Sequence, residues 1–192
     1  MKTTLIRLAD TPMQLWRNGG GVTRELLAWP GQEGWRVRIS VADIEADGPF
    51  STYPGVQRWF TVLLGGGVAL TIAGTEHACR IGDEPFAFSG ESSASCRLLA
   101  GASRDLNFML RDAEGAMQKV EASHAWRPTA QRCGVFTMGA GRCRFDKSVV
   151  HLSAESLLWL DGAPEALTFE CSEAAGDKPA WWMAASDRES AS

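Results

Sequence analysis

Residues 59 to 75, Trp-Phe-Thr-Val-Leu-Leu-Gly-Gly-Gly-Val-Ala-Leu-Thr-Ile-Ala-Gly-Thr, carry no charge. A stretch this apolar either crosses a membrane or lies inside a globular fold. A spanning helix needs about 20 predominantly apolar residues, and three central glycines would cost it roughly 1 kcal/mol each. The residues on either side of Gly65-Gly66-Gly67 are strand formers. The segment therefore reads as two short strands joined by a glycine turn, and no membrane partner is expected.

The same reading extends along the chain. In Trp35-Arg36-Val37-Arg38-Ile39-Ser40-Val41 the odd positions are apolar and the even ones polar, the period-2 pattern of a half-buried strand. Residues 58–64 and 68–72 read as strands, and 23–29 as a weaker one that Pro30-Gly31 stops. Further strands are expected at 85–88, 96–100, 106–109, 134–138, 149–152, 156–160 and 167–171. Turn residues at Asp47-Gly48-Pro49, Tyr53-Pro54-Gly55, Gly82-Asp83 and Asp161-Gly162 separate them closely. Many short strands with this punctuation predict an all-β sandwich or barrel. The 192 residues suit one large domain or two small ones at about 100–200 residues each. The strand rhythm breaks between 111 and 128. An N-terminal half at 1–111, a second half at 112–178 and a terminal tail at 179–192 follow, with Trp181-Trp182 too apolar to be left free.

Composition excludes several chemistries. Nineteen basic against twenty-three acidic residues give a net charge of −4, so no phosphate-binding field exists and nucleic acid is not an expected partner. The opening residues carry no long apolar stretch, and no secretory signal is expected. The five cysteines, at 79, 96, 133, 143 and 171, are odd in number and lack the two-residue spacing of a zinc or redox motif. They read as reduced, mostly buried thiols in a cytoplasmic protein. There is no Gly-x-Ser-x-Gly elbow and no phosphate loop. His77, His124 and His151 are far apart, without metal-ligand spacing. Asp43, Glu45 and Asp47 lie in a turn-rich stretch and read as a solvated loop.

Two constellations remain. In Trp16-Arg17-Asn18-Gly19-Gly20-Gly21-Val22-Thr23-Arg24-Glu25 consecutive glycines let the backbone approach another group closely. Their amides would cradle an anion or form a glycine bulge between strands. The second constellation is cationic. Arg36 and Arg38 share a strand face with Ser40, and Arg58 opens the most apolar strand in the chain. A guanidinium in that setting is partly buried and cannot discharge itself by losing a proton. It needs an internal carboxylate, making a structural salt bridge, or the negative charge of a ligand.

At these residues the sequence resembles the HutD/Ves family. The shared pieces are residues 16–25, Ile39-Ser40-Val41-Ala42-Asp43-Ile44, Asp47-Gly48-Pro49-Phe50-Ser51 with Pro54-Gly55-Val56-Gln57-Arg58, Val62-Leu63-Leu64-Gly65-Gly66-Gly67, and Asp105-Leu106-Asn107-Phe108-Met109. They cover residues 1 to 111 closely, and the remainder only in length and style. The resemblance implies a cupin (RmlC-like) jelly-roll barrel with a second, degenerate cupin-like half. It also implies a link to histidine utilisation through binding of a catabolite such as formylglutamate or urocanate, the Ves branch being described only as stress-induced. By motif position Arg58 faces the pocket; the family commonly carries an acidic residue just before it, where this chain has Gln57. Many cupins hold a metal through histidines that would fall at 50–58 and 82–90, where none occurs, so a metal-free pocket is expected.

Residue reading and resemblance together nominate Arg58, Asn18, Gly19, Gly20, Arg24, Arg38, Ser40, Phe50, Ser51, Asn107 and Met109 as ligand-binding residues. No catalytic residue and no cofactor is expected. The expected partner is a small carboxylate, with a homodimer left open. Three functions compete: a non-enzymatic regulatory binder of that carboxylate; a metal-independent isomerase or lyase using His77, Glu25 or Asp83 as base; and a scaffold that binds a protein through exposed Trp126, Trp181 and Trp182.

Overall fold

The computed structural model describes residues 1–122, 124–176 and 178–188. Strands in the first part of the chain are β1 (Lys2–Arg7), β2 (Met13–Leu15), β3 (Gly21–Trp29), β4 (Val37–Ile44), β5 (Gly48–Pro49), β6 (Val56–Gly65), β7 (Val68–Ile72), β8 (Thr75–Cys79), β9 (Phe86–Ser89), β10 (Ala94–Leu98) and β11 (Ser103–Arg111). The rest are β12 (Ala113–Lys119), β13 (Arg132–Thr137), β14 (Gly141–Phe145), β15 (Ser148–Leu152), β16 (Ser156–Asp161), β17 (Leu167–Cys171) and β18 (Ala180–Asp187). The helical elements described are single 3-10 turns at Leu8–Asp10 and Glu173–Ala175. No described helix is long and apolar enough to cross a membrane.

The chain divides into two compact units, one of Pro12–Asp112 and one of Met1–Thr11 with the chain from Ala113 onward. Residues 1–11 thus depart from the expected N-terminal half. The cause is β1, which pairs antiparallel with β16 along its whole length. The tail expected from 179 is also corrected. Its residues 180–187 are β18, hydrogen-bonded between β12 and β13, where Trp181 and Trp182 are buried. Residues 189–192 of that tail lie outside the described residues.

In the unit of residues 12–112, a six-stranded sheet ordered β2-β3-β4-β11-β6-β9 accompanies a four-stranded sheet ordered β5-β10-β7-β8. Their inward residues form one core, with Ala42, Ile44, Phe60 and Val62 from the larger sheet and Val68, Leu70, Cys79 and Cys96 from the smaller. The uncharged segment is β6 and β7, as expected, but the two strands do not pair with each other. The chain passes from one sheet to the other at the glycines. Gly65 and Gly67 have φ of +96° and +86°, accessible to glycine at little cost. Any side chain on Gly65 or Gly66 would run into the carbonyls of Ala102 and Ala100.

The second unit repeats this pairing scheme. β18 lies between β12 and β13 as β11 lies between β4 and β6, and β14 lies between β15 and β17 as β7 lies between β8 and β10. The interior differs. Here it is filled by Cys133, Val135, Leu158, Leu160, Trp182, Phe145 and Phe169. Trp126 stacks on Trp182 with ring centroids 5.0 Å apart. The tryptophans read as exposed docking groups are therefore packing groups. Among the described residues nothing charged enters this core.

Candidate functional site

The alternation in β4 acquires a different meaning in three dimensions. Val37, Ile39 and Val41 are fully buried on one face, while Arg38, Ser40, Ala42 and Ile44 line a cavity on the other. Both faces are covered, one by packing and one by enclosure. Neighbouring strands add Thr23 from β3, Asn107 and Met109 from β11 and Arg58 from β6. The loop through Pro49, Phe50, Ser51 and Tyr53 and the segment Gln14–Asn18 complete the wall. The cavity holds about 510 Å³, within the range of about 300–1,000 Å³ usual for small-molecule sites. All of its walls belong to the unit of residues 12–112.

Arg58 is the most unusual wall residue, being only 6% exposed. Its cross-strand neighbours are Phe88 on β9 and Met109 on β11. The guanidinium carbon lies 4.8 Å from the Phe88 ring centroid and 5.6 Å from those of Phe50 and Tyr53. Such contacts contribute about 0.5–2 kcal/mol each and help a desolvated cation tolerate its site. Among the described residues the side chain makes one hydrogen bond, from Nη2 to Asn107 Oδ1 at 2.9 Å, and its buried Nε has no partner. Burial pulls its pKa down to about 10, with Tyr53 opposing and Arg38 assisting. It remains a cation at neutral pH.

The nearby carboxylates serve other groups. Glu25 Oε2 accepts from Arg38 Nε at 2.6 Å, and Arg38 Nη1 also reaches Met109 Sδ at 3.8 Å. On the opposite face of the sheet Asp43 accepts from Arg24 at 2.7 Å and from Arg104 at 2.5 Å. Burial alone would raise the Asp43 carboxyl, but the hydrogen bonds and charges of those arginines hold it below its ordinary value. Asp105 is fully buried, with Oδ1 accepting from Ser103 at 2.9 Å and Oδ2 unpartnered. Burial pushes its pKa up to about 8, the Ser103 hydrogen bond opposing, so it is mostly neutral at pH 7. None of these acids pairs with Arg58.

Of the nominated residues, Asn18, Arg38, Ser40, Phe50, Ser51, Arg58, Asn107 and Met109 line the cavity, while Gly19, Gly20 and Arg24 do not. The glycine amides are used within their own turn: Gly19 N–H donates to Trp16 O at 3.0 Å and Gly20 N–H to Asn18 Oδ1 at 3.1 Å. Gly21 is the close-approach glycine, since a Cβ there would strike the Asp43 carbonyl. Arg24 belongs to the far face because Thr23 and Glu25 face the near one. Sequence reasoning missed Gln14, Leu15, Trp16, Arg17, Thr23, Ala42, Ile44, Pro49 and Tyr53. Stepping by two from Ser40 finds Ala42 and Ile44, and Trp16 and Arg17 lie in the glycine motif itself. Nothing local marks Tyr53.

The alternative bases lie off the cavity wall. His77 packs against Phe86, ring centroids 4.5 Å apart; Glu25 serves Arg38; Asp83 accepts from the Arg80 N–H at 2.8 Å. No group of three His, Cys, Asp or Glu among the described residues is placed to hold a metal ion.

The pattern of the HutD family matches residues 8–176. The chain belongs to the HutD family. One curated relative, an uncharacterized 21.2 kDa protein in the hutC 3' region of Pseudomonas putida, is 43% identical over 64% of this chain and 63% of its own length; the chain thus spans less than two thirds of that relative. Protein Ves of Citrobacter koseri is 32% identical over 79% of this chain and 80% of its own. HutD from Pseudomonas fluorescens SBW25, solved in a formate condition, superposes with a TM-score of 0.82 at 29% identity, covering 98% of this chain and 100% of that one. Oxalate decarboxylase of Bacillus subtilis matches at a TM-score of 0.65 and 12% identity, over 97% of this chain and 78% of that one. That likeness is one of fold, and the fold is a cupin.

Proposed function

We propose that this HutD-family chain is a non-enzymatic cupin that binds a small metabolite by its carboxylate. It does so in a metal-free pocket, in the cytoplasm, and thereby modulates histidine utilisation. The observation that carries this reading is Arg58, a buried cation on a cavity wall with an unpartnered Nε and no carboxylate of its own. A ligand carboxylate would supply the missing charge, and each charge-assisted hydrogen bond contributes about 1.5–3 kcal/mol. Two or three of them, with burial against Trp16, Phe50 and Ile44, are of the size needed for micromolar affinity, about 8 kcal/mol. The relative in the hutC 3' region and the HutD structure in a formate condition support the same direction. Among the described residues the wall carries no aspartate, glutamate, histidine or cysteine.

A thermal-shift panel of histidine catabolites, formylglutamate and urocanate included, tests the proposal. A ligand at a hundred times its dissociation constant stabilises by about 2.7 kcal/mol. The response is expected from at least one carboxylate and is lost in Arg58→Gln. Absence of any shift across the panel overturns the reading.

A further inference from the structure

The cavity wall carries three guanidiniums, and the structure distinguishes their roles. Arg38 is neutralised by Glu25. Arg58, at the buried end, has no acid. Arg17 lines the same cavity from an exposed position and makes no ion pair among the described residues. Its placement is not that of a loose surface arginine, because the turn that carries it is tied down on both sides. Trp16 N–H donates to Gly21 O at 3.0 Å and Gly19 N–H to Trp16 O at 3.0 Å. Trp16 Nε1 donates to Thr23 Oγ1 at 2.7 Å, and Asn18 Oδ1 accepts from Gly20 N–H. The Trp16 ring also packs edge-on against Phe50, one of the rings around Arg58. One unpaired cation is thus fixed inside the pocket and a second is presented from its rim, with no acid among the described residues of the wall to absorb either.

We infer that Arg17 is a specificity-determining residue. The preferred ligand carries two separated anionic groups, the first received by Arg58 and the second by Arg17. The inference rests on the carboxylate-binding reading of the pocket and adds the class of ligand and the residue that selects it. Because Arg17 is exposed, its contact is of the size of a surface ion pair. It favours a dianion over a monoanion of equal length by about two- to fivefold and is weakened by salt, whose screening length falls from about 10 Å at 0.1 M to about 3 Å at 1 M.

The experiment is calorimetric titration of the full chain with succinate, glutarate and adipate, each beside the monocarboxylate of the same carbon count, at low and high salt. The same titrations are run on Arg17→Gln, Arg17→Lys and Arg58→Gln, with circular dichroism confirming that each variant is folded. The expected result is a dicarboxylate preference in the parent that shrinks at high salt, disappears in Arg17→Gln and persists in Arg17→Lys, while monocarboxylate affinity stays unchanged in both Arg17 variants. A parent without the preference overturns the inference. So does a preference that survives Arg17→Gln, or an equal weakening of both ligand classes, which would make Arg17 a steering charge only. If neither class binds the parent, the carboxylate reading itself fails, and the Arg17 assignment with it.

Discussion

Arg58 Nη2 and Asn107 Oδ1 meet at 2.9 Å across the β6–β11 ladder, a buried cation held by a neutral amide. An amide oxygen satisfies one N–H but leaves the charge uncompensated, and an unpaired buried charge is costly. The arrangement is a poor stabiliser of the empty protein. Replacing both residues by apolar ones, Arg58→Met with Asn107→Leu, is therefore expected to leave unfolding free energy unchanged or raise it by about 1 kcal/mol. Arg58→Met alone strands the amide oxygen and costs about 1–3 kcal/mol relative to the double variant. Urea unfolding of the three proteins measures this. A double variant less stable than the single one would show that the pair is structural.

Asp105 gives stability a pH dependence of its own. Its folded pKa, pushed up to about 8 by burial, exceeds the ordinary unfolded value near 3.9. Between these values the folded chain keeps a proton that the unfolded chain has released. Stability is thus full at acid pH, falls as pH rises through that window and levels off above the folded value. The slope approaches about 1.4 kcal/mol per pH unit. Asp105→Asn keeps an acceptor for Ser103 and cannot ionise, so its stability between pH 5 and 8 is expected to be flatter. Parallel slopes in the two proteins would refute the assignment.

Asp43 has the opposite sign. Its carboxyl is held below its ordinary value by Arg104 and Arg24, so the stability it contributes is present above that ordinary value and lost as pH falls through the folded one. The three side chains are each between 18% and 26% exposed, so solvent screening reduces the ion pairing and Asp43→Asn is expected to cost about 1–2 kcal/mol at pH 7. The cost should shrink as pH falls and the Asp43 carboxyl takes up its proton. Chemical denaturation at pH 7 and pH 2.5 reads the difference directly, and an equal penalty at both would contradict it.

Much of this was written in local pattern. The alternation at 35–41 placed β4, and the glycine triplet placed the break between β6 and β7, because strand parity and positive φ are properties of a few adjacent residues. Which surface a strand face meets is a property of distant chain. The alternation marks one face of β4 as polar but not what covers it, which is the segment Gln14–Asn18 and the loop through Phe50 and Tyr53. The glycine amides at 19 and 20 left an anion cradle and a glycine bulge both open, because their hydrogen bonds to Trp16 and Asn18 are set by a turn that composition does not reveal. Arg24 could have been excluded by parity with Thr23 and Glu25. The strand at 180–187 was hidden by a polar sequence just beyond it, although Trp181-Trp182 did mark it as packed.

The second unit makes a complementary prediction, since the same strand pairing there surrounds side chains instead of space. Trp182 lies on β18 opposite Val135 on β13, only 2% exposed, and Trp126 covers its other face. Its removal takes away both transfer energy and packing, which for Trp→Ala in a core amounts to about 3–5 kcal/mol. Trp182→Phe keeps most of the volume and is expected to cost less than half as much. Thermal and urea unfolding of the pair test this. A small penalty for Trp182→Ala would mean that the interior of this unit is not close-packed and that the stacked tryptophans cover a hollow comparable to the one beside Arg58.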